Sequence, residues 1–279
     1  VREAPAGSGL QPGDLVAGVV RMPDPVPCAN CGAGEWDMCR NGRYTEHGIK
    51  GLHGFGSELW RVSEDHVVKI DPALGHRGVL MEPTSVVAKA WEHIERIGAR
   101  ALFEPRSVLV TGAGPIGLLA ALLGAQRGLD VHVMDLATDG PKPRLVEALG
   151  GTYHAGGLDD LAEPCDLVIE ATGAPTVILD VIDHTPNNGI VCLTGVSHKG
   201  RTTAVDAGAW NREMVLENDV IFGSVNANTR HYHQAAEALA KADAAWLDGL
   251  LTRRASLDDY AAGLERRDDD IKVVLQIAD

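Results

Sequence analysis

Two groups of residues in this chain have types and spacings suited to chemistry. The first lies in S-V-L-V-T-G-A-G-P-I-G, residues 107 to 117, where apolar and β-branched residues run straight into Gly112, Gly114 and Gly117. That order reads as strand, tight turn, helix start. A G-x-G-x-x-G placed there turns the backbone sharply, brings main-chain N–H groups against a pyrophosphate and seats the anion on the positive end of the helix. Gly112, Ala113, Gly114, Pro115, Ile116 and Gly117 are therefore expected to hold a dinucleotide. The second group is P-C-A-N-C-G-A-G-E-W-D-M-C, which sets Cys28, Cys31 and Cys39 as C-x2-C-x7-C in a Gly-containing loop. Thiolates two residues apart can approach one zinc ion from a turn, and a closed structural site takes four ligands. Asp24, four residues before Cys28, is the candidate fourth; the alternative is a loop that keeps its thiols without a metal.

The surroundings of the glycines strengthen the first reading. Pro115 opens an apolar helix that ends near Gly128. The next run, D-V-H-V-M-D, is a short strand ending in Asp135, about twenty residues past the glycines as a dinucleotide fingerprint requires. An acid there accepts hydrogen bonds from the adenosine ribose hydroxyls and repels a 2′-phosphate, which favours NAD; Lys142 and Arg144 nearby leave NADP open. Asp135 also has a simpler reading, as the cap of a strand-to-helix loop. Related Gly-rich loops serve S-adenosylmethionine enzymes, but nothing else in the chain supports a methyltransferase.

Composition sets outer limits. With 279 residues, 45% of them apolar, and mean hydropathy −0.04, the chain is long enough for two domains around a sizeable core. A net charge of −14 speaks against a phosphate-backbone partner, so no nucleic acid is expected. Apolar runs all fall short of the roughly 18 residues that span a bilayer, so no membrane partner is expected either. Five cysteines, an odd number with three clustered, do not form a secreted disulfide framework and fit a reducing cytoplasm.

Residues 1 to about 90 are Gly- and Pro-rich with short strands at Leu15 to Arg21, Leu59 to Val62 and His66 to Ile70. Beyond a helical stretch from Glu82, strands and helices alternate: Val108 to Thr111, Pro115 to Arg127, Val131 to Asp135, Lys142 to Leu149, Asp166 to Ala171, Thr176 to Asp183, Gly189 to Thr194 and Val220 to Val225. Alternation of that kind predicts an α/β, doubly wound parallel sheet. Helices near His231 to Lys241 and Leu257 to Glu265 and a strand at Ile271 to Ile277 follow, with His231 and His233 expected on an exposed helical face. Ligands of such sheets lie beyond the carboxyl ends of the strands. Thr172 and Gly173, Leu193, Thr194, Gly195 and Val196, and Ser224, Val225 and Asn226 are accordingly expected to line the ribose and nicotinamide, unless they are ordinary βα turns. Cys165 and Cys192, beside apolar strand residues, read as buried thiols.

The loop Cys28 to Cys39, then R-Y-T-E-H-G-I-K-G-L-H-G-F-G-S-E, G-V-L-M-E-P-T-S-V-V-A-K-A, V-T-G-A-G-P-I-G, E-A-T-G-A-P, N-R-E-M-V-L-E-N and G-S-V-N together resemble the zinc-dependent medium-chain dehydrogenases, and within them the archaeal-type glucose 1-dehydrogenases. The resemblance implies a GroES-like, β-rich catalytic domain over 1–90, a Rossmann NAD(P)-binding domain over 91–226, and a segment over 227–279 returning to the catalytic domain. By resemblance, Glu82 is a ligand of a catalytic zinc and touches substrate, Glu46 binds sugar hydroxyls, and Asn226 contacts both sugar and nicotinamide. His47 and His53 are structural, since the family places the metal elsewhere.

The implied reaction is oxidation of D-glucose at C1 to gluconolactone in a cytoplasmic homo-oligomer, tetramer or dimer. The family's Cys and His-Glu ligand motifs precede the point where this chain starts, at Val1 in the middle of a β domain. The expectation is that an N-terminal segment is absent and that the chain as given binds cofactor without turnover. Oxidation of another polyol or secondary alcohol, of the sorbitol or threonine type, and a non-catalytic NAD(P)-binding paralogue are the alternatives.

Overall fold

Residues 1–200, 202–265 and 267–277 are described by a computed structural model. In it the chain divides into two units, one made of Val1–Lys89 and Val225–Asp279, the other of Ala90–Ser224. The first unit begins with short elements: β1 (Val16–Gly18), β2 (Arg21–Met22), α1 (Ala29–Gly32), β3 (Thr45–His47), β4 (Gly51–Leu52) and β5 (Val67–Lys69). Frequent Gly and Pro keep these strands to two or three residues. β1 pairs antiparallel with β5, β2 antiparallel with β3, and β3 parallel with β4. The pairing sets Arg21 directly opposite Glu46. Helix α2 (Met81–Gly98) starts in this unit and buries Val87, Ala88, Trp91 and Ile94, an i, i+1, i+4, i+7 stripe that leaves Glu92, Glu95 and Arg96 off the core face.

The second unit continues with β6 (Ser107–Thr111), α3 (Pro115–Gln126), β7 (Asp130–Met134), α4 (Pro141–Ala148), β8 (Thr152–His154), β9 (Leu167–Glu170), α5 (Pro175–Ile182), β10 (Ile190–Leu193), α6 (Ala207–Glu217) and β11 (Val220–Gly223). Its six strands run in the order β8-β7-β6-β9-β10-β11, and every pairing is parallel. This is the doubly wound Rossmann arrangement, whose order reverses between β6 and β9. Leu109, Val168 and Val191 form a core with Leu158, Cys165 and Val181. Helix α3 is apolar all round, and Gly117 to Gly124 are buried without a break, as a helix enclosed in a core requires. Val108 and Val131 meet α3 at Gly124, where Trp91 also packs and donates its Nε1–H to the Ala120 carbonyl at 3.3 Å.

The chain then returns to the first unit through α7 (Thr229–Lys241), α8 (Ala244–Leu250), β12 (Arg253–Ser256), α9 (Tyr260–Leu264) and β13 (Val273–Gln276), with β12 and β13 parallel.

Several expectations change. Leu59 to Val62 forms no strand; instead Trp60 lies against Phe55, ring centroids 4.6 Å apart. His231 is fully buried, where an exposed helical face was expected: it is the third residue of α7, and its Nδ1 accepts the Asn228 N–H at 3.1 Å in a capping box that Asn228 reciprocates. β8, α6, α8 and β12 are elements that the periodicity does not announce. α6 buries no residue and so carries no apolar stripe; it is bounded by Asp206, whose carboxylate accepts from the Gly208 and Ala209 N–H groups, and by Asn218 in the left-handed region.

Candidate functional site

The Gly-rich loop is built as the spacing requires. Gly112 takes φ +91°, a left-handed backbone, and its N–H donates to the Met134 carbonyl at 2.6 Å, tying the loop to β7. A Cβ on Gly117 would lie 1.7 Å from the Gly112 carbonyl oxygen, so no side chain fits where helix meets strand. Gly114 caps α3 with its backbone only, and among the described residues no side chain caps those first N–H groups, which stay available to an anion.

Asp135 is more heavily engaged than its place in the sequence implies. Its Oδ2 accepts the Ala113 N–H of the Gly-rich loop at 2.7 Å, and its Oδ1 accepts the Ala137 N–H at 3.1 Å and the Lys142 ammonium at 2.9 Å. Burial pushes the carboxyl up, but the Lys142 contact and the two backbone donors outweigh it and hold the group below the usual carboxylate range. The charge that would repel a 2′-phosphate is thus half answered by a lysine on α4.

The turns after β9 and β10 are organised by Glu170, a residue the sequence reading passed over. Its carboxylate is fully buried and accepts from the Thr172 N–H at 2.7 Å, the Gly173 N–H at 3.0 Å, and the Thr111 and Thr172 hydroxyls. The Glu170 carbonyl accepts from Thr194 N–H at 2.8 Å and Gly195 N–H at 3.0 Å. Ser197 Oγ donates to the Gly173 carbonyl at 2.8 Å, and the Ser224 N–H to the Leu193 carbonyl at 2.9 Å. The ends of β6, β9, β10 and β11 are therefore laced together, with Thr172, Gly173, Leu193, Thr194, Gly195 and Ser224 on one connected rim. Val196 and Val225 are exposed. The signal for Glu170 was present in I-E-A-T-G, an acid in an apolar strand two residues before a small-residue turn.

In the first unit, Glu46 and Asn226 meet although 180 residues separate them. Arg21 donates through Nε at 3.0 Å, pairs through its second terminal nitrogen at 2.9 Å, and Asn226 donates its amide, all to Glu46 Oε1. Among the described residues Oε2 receives no hydrogen bond. One carboxylate oxygen is clamped and the other is open to a hydroxyl donor. His47 lies outside this group: its Nδ1 sits 2.8 Å from the His53 carbonyl and its ring stacks on Phe55.

Glu82 is the second residue of α2 and is open to solvent. Its surroundings still push its carboxyl above the usual range, a desolvation effect that the Lys272 charge opposes. Among the described residues no trio of candidate ligand atoms includes Glu82, so the residues gathered here do not by themselves fit a catalytic zinc. The cysteines do fit a metal: the sulfurs of Cys28, Cys31 and Cys39 lie within 4.8 Å of one another. Cys28 caps α1, and its sulfur accepts the Cys31 and Arg40 N–H groups at 3.5 and 3.4 Å, which draws the thiol down to about 6. Asp24 is not brought into that trio. Its Oδ1 accepts the Val26 N–H at 2.8 Å and its Oδ2 the Asn41 amide at 2.9 Å.

The family described as "Glucose dehydrogenase C-terminus" matches residues 75–277. Glucose 1-dehydrogenase of Methanocella arvoryzae is 36% identical over 275 residues, 95% of this chain and 77% of that one. Glucose 1-dehydrogenase 2 of Vulcanisaeta moutnovskia is 39% identical over 270 residues, 95% and 76% of the two chains. Among solved structures, Haloferax mediterranei glucose dehydrogenase in complex with NADP, Zn and gluconolactone superposes with a TM-score of 0.89 at 30% identity, covering 97% of this chain and 79% of that one. An alcohol dehydrogenase of Thermotoga maritima, at 20% identity over 95% of this chain and 76% of that one, shares the fold with a TM-score of 0.79.

Proposed function

The chain belongs to the glucose dehydrogenase family of zinc-dependent medium-chain dehydrogenases, and from that premise we propose that it serves the NAD(P)-dependent oxidation of D-glucose at C1 to gluconolactone. The observation that carries the sugar half is the Glu46–Asn226 pair, with Glu46 Oε1 clamped and Oε2 open. A pinned carboxylate beside an amide offers acceptor and donor to neighbouring hydroxyls, and a poorer substrate that leaves them unpaired binds at a cost. The Haloferax relative, solved with NADP, Zn and gluconolactone, supports the same reading.

A nicotinamide, when bound, would supply the hydride acceptor: the C1–H would pass to it with its electron pair, the C1 hydroxyl proton would go to solvent water, and the lactone carbonyl would form. In this reading the α3 N-terminus and the loop Gly112 to Gly117 hold the pyrophosphate, and Asp135 receives the adenosine ribose hydroxyls. The rim of Thr172, Gly173, Leu193 to Val196, Ser224 and Val225 lines the other ribose and the nicotinamide. Asn226 and Glu46 orient the sugar, and Glu82 would be a single acidic ligand to a zinc that the residues gathered around it do not hold by themselves. Cys28, Cys31 and Cys39 hold a structural zinc as thiolates. The reading extends to a homo-oligomer, dimer or tetramer, in the cytoplasm; among the described residues no helix is long and apolar enough to cross a membrane.

Initial rates with NAD+ and NADP+ across aldoses, sorbitol and threonine, in the protein as it is encoded, test this. A preference for aldoses with D-glucose among the best is expected. A preference for polyols or secondary alcohols would refute the glucose assignment, and cofactor binding with no oxidation of any of them would make the chain a binding module.

A further inference from the structure

Asn226 holds φ +64°, a left-handed backbone that asparagine tolerates better than other side chains but that still leaves its orientation to be set by its neighbours. Its neighbours on both sides are held by hydrogen bonds. On one side the Lys89 ammonium donates to the Val225 carbonyl at 2.9 Å. On the other, Asn228 donates its side-chain amide to Asp37 Oδ1 at 2.7 Å and to the Gly34 carbonyl at 3.3 Å, while its own oxygen caps α7 at the Arg230 N–H. The two grips are one unit, because Lys89 pairs with Asp37 Oδ2 at 2.9 Å with both side chains sealed from solvent. Arg21 closes the ring: besides clamping Glu46 it donates to the Asp37 carbonyl at 2.8 Å.

A sealed lysine on a helix is costly unless it is paired, and this one spends its charge on Asp37 and the Val225 carbonyl. Lys89 stands two turns along α2 from Glu82, so the helix that carries that acid also carries the group that grips the Asn226 segment. Resting on the sugar-site reading above, we infer that Lys89, paired with Asp37, is a positioning residue for substrate selection: it fixes Asn226 in its left-handed conformation, and with it the amide and carboxylate that meet the sugar. Neither Lys89 nor Asp37 touches the substrate.

Lys89→Met keeps length and apolar bulk but drops the hold on the Val225 carbonyl and leaves Asp37, still bonded to Asn228, buried without its counter-charge. The double variant Lys89→Met with Asp37→Asn removes that orphaned charge while keeping an acceptor for Asn228. KM for D-glucose, KM for NAD+ and thermal midpoint are measured for both, beside Asn226→Ala and Glu46→Gln, in the protein as it is encoded. The expected result is that the single variant loses stability, that the double variant regains most of it, and that both raise KM for the sugar about tenfold, the size of one lost hydrogen bond, with KM for NAD+ unchanged. If the double variant recovers both stability and the parental KM for glucose, Lys89 is only a structural ion-pair partner and the inference is overturned. If Asn226→Ala and Glu46→Gln leave the sugar KM unaltered, the sugar-site reading itself fails, which is a different outcome from normal sugar binding in the double variant alone. Should Lys89→Met not fold, the double variant carries the test.

Discussion

Replacing Asp135 by Asn removes the charge and also turns an amide N–H2 against either the Ala113 N–H or the Ala137 N–H and Lys142, a cost common to both cofactors that cancels in their ratio; the contacts around the residue set the size of the expected effect. Asp135 is paired at 2.9 Å with Lys142, and both side chains are only 15% exposed. A 2′-phosphate entering beside the ribose would stand about 5 Å from the carboxylate; with an effective dielectric near 20 that is roughly 3 kcal/mol of repulsion per unit charge, which partial solvation and salt cut to about 2. Lys142 opposes this with attraction of the same order, so the parental protein is expected to accept both cofactors and prefer NAD+ through the ribose hydrogen bonds. In Asp135→Asn the repulsion disappears, the lysine is left unopposed, and a charge-assisted ribose bond worth about 1 kcal/mol is lost. The ratio of NADP+ to NAD+ affinity should rise by about 3 kcal/mol, roughly a hundredfold. Lys142→Met should move the ratio the other way by about tenfold. Titration calorimetry with each cofactor on the purified chain reads both numbers. A ratio that stays within about threefold in Asp135→Asn, or that moves in the same direction in both variants, would refute the argument.

Other consequences follow from the same contacts. Because the folded-state value of Asp135 is depressed, its contribution is present above the usual carboxylate range and lost only as pH falls through the depressed value. NAD+ affinity should therefore stay flat from neutral pH down through the ordinary carboxylate range and fall below it, as fluorescence titration at a series of pH values would record. Glu170→Gln keeps an acceptor for the Thr172 N–H only by turning its amide N–H2 against the Gly173 N–H that the second carboxylate oxygen accepts at 3.2 Å; a stability loss of about 1–3 kcal/mol and weaker NADH binding are expected, measured by thermal unfolding with and without cofactor. Zinc analysis should find one ion per chain lost on Cys31→Ser and retained on Asp24→Asn, since the Asp24 oxygens are committed to Val26 and Asn41. Loss of zinc in the Asp24 variant would restore that residue to the ligand set.

Much of the nucleotide half was legible before any coordinates. Gly112, Gly114 and Gly117 act through backbone geometry between adjacent elements, and strand-to-helix alternation is a local periodicity, so both are written in neighbouring residues. The cysteine trio is legible for the same reason, because its members lie within twelve residues of one another. Short edge strands and stripe-less helices left little trace: β8 has three residues and α6 buries none of its own.

Apart from Glu46 and Asn226, which the family resemblance had already brought to one sugar, polar pairings between distant parts of the chain left no trace. The sequence by itself determined where the pyrophosphate loop turns, which strands alternate with helices and which thiols share a loop. Only the tertiary structure decided that Lys142 answers Asp135, that Glu170 ties three strand ends together, that Asp24 is occupied elsewhere, and that Lys89 and Asp37 grip the segment presenting Asn226 to Glu46. A buried polar group must find a partner, but its type and spacing do not say which; that choice is made by the packing that brings residues 89 and 225, or 46 and 226, within hydrogen-bond reach.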